Sequence, residues 1–221
     1  MKSKEFSYRV SFWSIIGIVI ILVYLVCTSC ERLEYGEKET YTVEEGQNKS
    51  DFPKTMTTGK ELYVQVYFHA SCRAKTVGPS GWNKLVGLMP GPLSVHQNSA
   101  RWAWRYDPEN DMIKLAGYIW QGGIKPTEEN GGIEYIYSVP LEQGDFLEGT
   151  DWVELYVGNE YGSWHLLTGD SSALGMKMYA PVLGNNFYIL GLYFGGDGVP
   201  EHDVHVSYAF GKMKGFRINT D

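Results

Sequence analysis

Cysteine is scarce in this chain. Three occur among 221 residues, two of them at Cys27 and Cys30 near the N-terminus, which leaves Cys72 alone in the body. A single thiol builds no internal disulfide framework, so the fold must hold by packing. Cys72 has only Arg73 and Lys75 as basic neighbours in sequence and reads as a buried, inert residue. Positive charge is also short, with 19 Lys and Arg against 26 Asp and Glu for a net −7. Lys2, Lys4 and Arg9 stand before the first apolar stretch with one acid, Glu5, so everything after them is more acidic still. Such a surface repels nucleic acid and anionic headgroups, and only a local basic patch could bind a polyanion. Helical three-four spacing of apolar residues is missing after residue 59, and so is any repeat at a solenoid or propeller period. No nucleophile elbow and no EF-hand ligand spacing occurs, and the sequence implies no cofactor and no metal.

What is present begins with a leader. MKSKEFSYR is followed by the apolar stretch Val10 to Val26 and then by Cys27-Thr28-Ser29-Cys30. A charged head, an apolar middle and small residues before a cysteine have the layout of a secretory signal and resemble a bacterial lipoprotein signal, which implies Cys30 as the lipidated first mature residue. The alternative is an uncleaved anchor helix, since the apolar stretch approaches the roughly 20 residues that span a bilayer. Either reading ties the domain to a membrane of the bacterial cell envelope, and the lipoprotein reading favours the outer membrane. Residues 30–59 are rich in Glu, Lys, Thr and Gly and predict a flexible spacer.

From residue 60 the texture changes. ELYVQVYFHA, NSARWAWRYD, DMIKLAGYIW, GIEYIYSVP, DWVELYV, FYILGLYFGG and HDVHVSYAF are short runs of Tyr, Trp, Val and Ile bounded by Gly, Pro, Asn or Asp. Residues 60–221 therefore predict an all-β domain, a two-sheet antiparallel sandwich or jelly roll. An aromatic content of 14% suits pleated surfaces, on which rings pack well.

Asp107-Pro108-Glu109-Asn110 reads as a turn between two of these strands. Pairing Tyr106 with Asp111 sets Trp102 and Trp104 on an apolar face and Arg101, Arg105, Lys114, Tyr118 and Trp120 on the other. That second face, with His96, Gln97 and Asn98 at its entrance, mixes flat rings with hydrogen-bonding groups as a sugar site does, and paired arginines favour a carboxylated or sulfated sugar. The competing reading is a solvated sheet face whose arginine stems cover apolar surface.

A second cluster lies in YFGGDGVPEHDVHV, where Asp197, Glu201, His202 and Asp203 crowd a short loop. They could hold a hard cation, or simply pin the loop by hydrogen bonds, which is the preferred reading because no regular ligand spacing is present. Among enzymes, a glycosidase pair from Glu148, Asp151 and Glu154 is disfavoured, because a spacing of three alternates faces in a strand. A polysaccharide lyase could draw on His96, Gln97, Asn98 and Arg101, though no catalytic residue is assigned.

Trp82-Asn83-Lys84-Leu85, His96 to Arg105 and Tyr193-Phe194-Gly195-Gly196-Asp197 with His202-Asp203 resemble a family of uncharacterised surface lipoproteins from Bacteroidetes-type bacteria. The resemblance implies a jelly-roll, concanavalin-like sandwich and a glycan-related role at the cell surface. Three functions follow as expectations: polysaccharide binding, preferably of an acidic glycan; a lyase acting on uronates; or a structural envelope protein without a sugar ligand.

Overall fold

Strand-forming runs with period-two burial account for the architecture. A computed structural model describes residues 34–52, 57–74, 81–91, 95–141, 152–160, 162–168, 171–179, 187–195 and 198–212. The leader, Cys30, Glu148, Asp151 and Asp197 lie outside these residues. The described residues from Tyr35 onward belong to one compact unit, Tyr35–Asp221.

The described residues form twelve strands: β1 (Glu34–Val43), β2 (Thr57–Thr58), β3 (Glu61–Phe68), β4 (Asn83–Met89), β5 (Ser99–Asp107), β6 (Met112–Trp120), β7 (Ile133–Pro140), β8 (Val153–Glu160), β9 (Ser163–Thr168), β10 (Ser171–Tyr179), β11 (Phe187–Leu190) and β12 (Val204–Lys212). One six-stranded sheet runs β1-β12-β3-β8-β9-β10 and the other β2-β11-β4-β5-β6-β7. The ladders joining consecutive members are antiparallel where their register is defined. The only helix among the described residues is a 3-10 turn at Ala70–Arg73. The all-β, two-sheet sandwich is what the sequence predicted.

The core lies between the sheets. Val64, Val66, Val157 and Leu166 from one sheet meet Leu88, Trp102, Trp104, Ile113 and Leu115 from the other. Two hydrogen bonds cross the interior: Trp102 Nε1 donates to the Tyr156 carbonyl at 3.0 Å, and the Tyr208 hydroxyl to the Leu85 carbonyl at 3.1 Å. Each satisfies a polar group that burial would otherwise leave costly.

Two expectations are corrected here. Residues 34–43, expected as spacer, form a ten-residue strand beside β12. Its polar composition hid an alternation in which Tyr41 and Val43 turn inward, while Thr42 between them is half-buried and Thr40 and Glu44 are exposed. The β5–β6 hairpin is also registered differently, with Tyr106 opposite Ile113 and Asp107 opposite Met112 instead of Tyr106 opposite Asp111. The Asp107 carboxylate accepts from the Glu109 amide at 3.2 Å and from Asn110 Nδ2 at 2.9 Å, and it pairs with Lys114 at 2.7 Å. It therefore closes the hairpin as a ladder residue and leaves Pro108 to Asp111 as the loop. Asp111 adopts φ +51°, a conformation Asp tolerates. Because the slip is two residues, a full pleat period, every side chain keeps its predicted face.

Candidate functional site

The outer face of the second sheet is built in rows. Leu190, Gly87, Arg101, Tyr118 and Ile133 follow one another across β11, β4, β5, β6 and β7. Beside them run Tyr193, Lys84, Ala103, Ala116 and Tyr135. Ser99 with Trp120 lies at one end and Arg105 with Lys114 at the other. The strands thus deliver Arg101, Arg105, Tyr118 and Trp120 to one face, as the alternation predicted.

Their environment differs from an open platform. Tyr118 is only 4% exposed and packs with Trp82, Ala103, Ala116 and Ile133 in a second hydrophobic cluster. Its ring carries Lys84, whose Nζ stands 4.4 Å from the centroid, and the Trp82 ring carries the Arg105 guanidinium at 4.3 Å. Tyr118 is therefore covered, and its ring supports the Lys84 cation. The segment between β6 and β7 folds back here. The Trp82 indole N–H reaches Glu128 at 3.4 Å, and the amide of Ile133 returns to the Thr127 carbonyl at 3.0 Å.

Burial makes the cations unusual. Lys84 is 6% exposed and donates to the Trp82 carbonyl at 2.8 Å. Burial first, then the neighbouring charges of Arg101 and Lys125, pulls its ammonium down to about 8. Arg101 is half-buried, and its Nε is sealed from water without a hydrogen-bond partner. Burial pulls its guanidinium down to about 10. Among the described residues no carboxylate pairs with it, since the ion pairs there are Arg73 with Asp111 and Lys114 with Asp107. Gly87 lets the Arg101 stem lie against β4, where an added Cβ would stand 2.7 Å from Arg101 Cγ. Lys84 is withdrawn from water and Arg101 half withdrawn, whereas Arg105 covers the Trp82 ring as the competing reading of a solvated face expects.

The expected entrance residues serve partly as struts. The Asn98 carboxamide oxygen accepts from the Gly122 amide at 3.0 Å, and the Gln97 carbonyl accepts from that of Gly123 at 3.0 Å. His96 is exposed and stands edge-on to the half-buried Trp120, with ring centroids 4.9 Å apart. Nothing brings His96 or Asn98 into contact with Arg101 among the described residues. Lys84, Tyr135 and Tyr193 belong to the face and were not singled out as site residues. The alternation Ile133, Tyr135 in β7 carried the signal for Tyr135, which is 53% exposed on an edge strand.

The opposite outer face, on the first sheet, also escaped the sequence reading. Glu61, Tyr63, Gln65 and Tyr67 alternate along β3, with His69 just beyond it. Tyr63 packs on Tyr156 at 4.7 Å, Tyr67 on Trp152 at 5.9 Å, and Gln65 Nε2 donates to Glu154 at 3.0 Å. Burial and the charge of Glu160 push the Glu61 carboxyl up. This face gathers acids, whereas the second sheet gathers Lys84, Arg101, Arg105 and Lys114.

In the loop before β12, His202 Nε2 is bonded to the Ser71 carbonyl at 2.9 Å and Asp203 accepts from the Glu45 amide at 2.8 Å. Both side chains thus pin the loop to neighbouring segments. Asp197, the third residue of the expected cluster, lies outside the described residues.

No family model and no curated protein matches the chain. Among solved structures it is similar to the catalytic domain of an endo-1,3-beta-glucanase (laminarinase) from Thermotoga petrophila, at 8% identity and TM-score 0.43, covering 79% of this chain and 77% of that one. It is similar to alginate lyase from Pseudomonas aeruginosa at 9% identity and TM-score 0.41, covering 71% and 62%. It is also similar to carbohydrate-binding module CBM66 from Bacillus subtilis at 8% identity and TM-score 0.29, covering 80% and 88%.

Proposed function

We propose that the domain binds an acidic polysaccharide through the outer face of the second sheet, with Arg101 receiving a carboxylate or sulfate of the chain. The observation that carries this reading is the Arg101 guanidinium, partly withdrawn from water with its Nε unpartnered and, among the described residues, no carboxylate paired with it. A buried charge without a counter-charge costs several kcal/mol by general experience, on the order of 3–5 kcal/mol. Stability gives no reason to keep it; a ligand that brings the missing anion does. Arg105 and Lys84, each seated on a ring, add positive potential around it. Trp120, Tyr135 and Tyr193 supply ring surface that is not deeply buried, and His96 and Asn98 edge the Trp120 end. The leader and Cys30 support a lipid-tethered domain at the cell envelope, at the outer membrane, with the glycan as partner.

The test is titration calorimetry of the soluble domain against alginate, polygalacturonate, heparan sulfate and, as neutral controls, laminarin and cellohexaose. Binding of acidic chains that weakens steeply with salt supports the proposal. Equal binding of neutral and acidic chains, or none, overturns it. For the tether, lipid labelling that persists in full after Cys30→Ala would remove Cys30 from its role.

A further inference from the structure

On this reading of the face as an acidic-glycan site, we propose that the domain also cleaves its ligand by β-elimination at a uronate, with Lys84 as the base, Arg101 as the carboxylate neutraliser and Tyr193 as the proton donor to the leaving oxygen.

The backbone brings the three together. Lys84 and Tyr193 are directly opposite, exchanging both amide bonds, Lys84 N to Tyr193 O at 2.8 Å and Tyr193 N to Lys84 O at 2.9 Å. Directly paired antiparallel residues point their side chains to the same side. Arg101 lies opposite Gly87 while Lys84 lies opposite Ala103, so Lys84 and Arg101 are diagonal neighbours on that side. Elimination needs three groups in this relation: a cation on the carboxylate, a base beneath the carbon next to it, and an acid at the departing oxygen.

The electrons and protons balance without a co-reactant. The neutral amine of Lys84 takes the proton from C5 of the uronate. The C5–H pair forms the C4=C5 double bond, and the negative charge that develops on the carboxylate meets Arg101. The C4–O bond breaks, and the departing oxygen takes the Tyr193 hydroxyl proton. Transfer of the proton from the Lys84 ammonium to the Tyr193 phenolate restores both. Lys84 meets the chief demand on such a base, because burial and two neighbouring cations hold its ammonium near 8, where an ordinary lysine would stay protonated. The Trp82 carbonyl, 2.8 Å from Nζ, fixes one N–H and orients the amine.

The experiment mixes the soluble domain with the acidic polymers already named and follows the ultraviolet absorbance of unsaturated uronates alongside binding. Wild type should bind one of them and release unsaturated product, with kcat/KM climbing to a plateau above about pH 8. Lys84→Arg keeps the charge but cannot give up its proton at these pH values, and at saturating polymer it should lose about 10²- to 10⁴-fold in kcat. Binding without product in wild type overturns this inference and leaves the binding proposal standing, whereas no binding at all removes both. Product formation undiminished in Lys84→Arg removes Lys84 as the base. If that variant fails to fold, the wild-type profile decides: an acidic limb near pH 8 supports Lys84, and a flat profile between pH 6 and 9 overturns it.

Discussion

The Arg105 guanidinium lies over Trp82, 4.3 Å from the ring centre of a residue that is 1% exposed. The arginine therefore does structural work before it meets any ligand. Arg105→Ala should lower stability by about 1 kcal/mol as it uncovers the indole, and Arg105→Lys should recover part of the loss. Urea denaturation measures it, and an unchanged midpoint in Arg105→Ala would show that the stacking contributes nothing.

Arg101 predicts the opposite sign. Replacing a half-buried charge whose Nε is unpartnered with an apolar side chain of similar length should leave stability equal or raised, since no ion pair among the described residues is broken. Arg101→Met is therefore expected to melt at or above the wild-type temperature while binding acidic polysaccharide roughly 10- to 100-fold more weakly, the loss of one charge-assisted contact. A sharp fall in melting temperature would recast Arg101 as a structural residue.

Trp120 stands half-buried at the end of the face, with His96 against its edge. Trp120→Ala should weaken glycan binding by about 1–3 kcal/mol if a sugar stacks there, with His96→Ala giving a smaller loss. Retained affinity in both variants would move the ligand away from this end.

Gly87 is where the sheet admits no side chain. A Cβ there would overlap the Ala100 carbonyl oxygen and stand 2.6 Å from Arg101 Cα. Gly87→Ala must push β4 from β5 and is expected to cost about 1–3 kcal/mol, together with acidic-glycan affinity, because Arg101 moves with the strand. Calorimetric melting and titration of the same sample separate the two effects.

His69 gives the pH dependence. Burial and then the charge of His205 lower its imidazole below the ordinary value of 6.5, and its Nε2 is bonded to the Ser207 hydroxyl at 2.7 Å. The unfolded chain thus binds a proton more readily than the folded one. Stability from this residue is fully present above pH 6.5 and declines as pH falls from there through the lower folded value. Melting temperature followed from pH 8 to pH 5 should drop less in His69→Gln than in wild type, and identical slopes would count against the assignment.

Alternation explains what the sequence disclosed. In β5, apolar Trp102 and Trp104 interleave with Arg101 and Arg105, so the face of each was readable even though the hairpin slips by two residues. Depth was not readable. Tyr118 and Arg105 have the composition of a wet surface, and only the return of the segment after Trp120, reaching Trp82 through Glu128, places rings and stems under cover. Lys84 was quoted in a motif but not seen as part of the face, because its partner Tyr193 is more than a hundred residues away and a single bridge joins them. β1 was missed because seven of its ten residues are Glu, Lys, Thr or Gly, composition that argues against a strand until β12 lies beside it.

The neighbourhood of β1 and β12 also sets the order of events during folding. The Thr40 hydroxyl meets that of Ser207 at 2.6 Å and the Thr42 hydroxyl meets His205 Nδ1 at 2.9 Å, contacts 167 and 163 residues apart along the chain. Among the described strands, the first to leave the ribosome thus waits for the last. Among the described strands β1 has no ladder partner until β12 arrives, and Glu37, Lys38 and Glu39 keep its waiting edge charged against pairing with other chains. A chain whose outer strand cannot close early stays open longer, and in that interval the charges on β1 are what guard its edge.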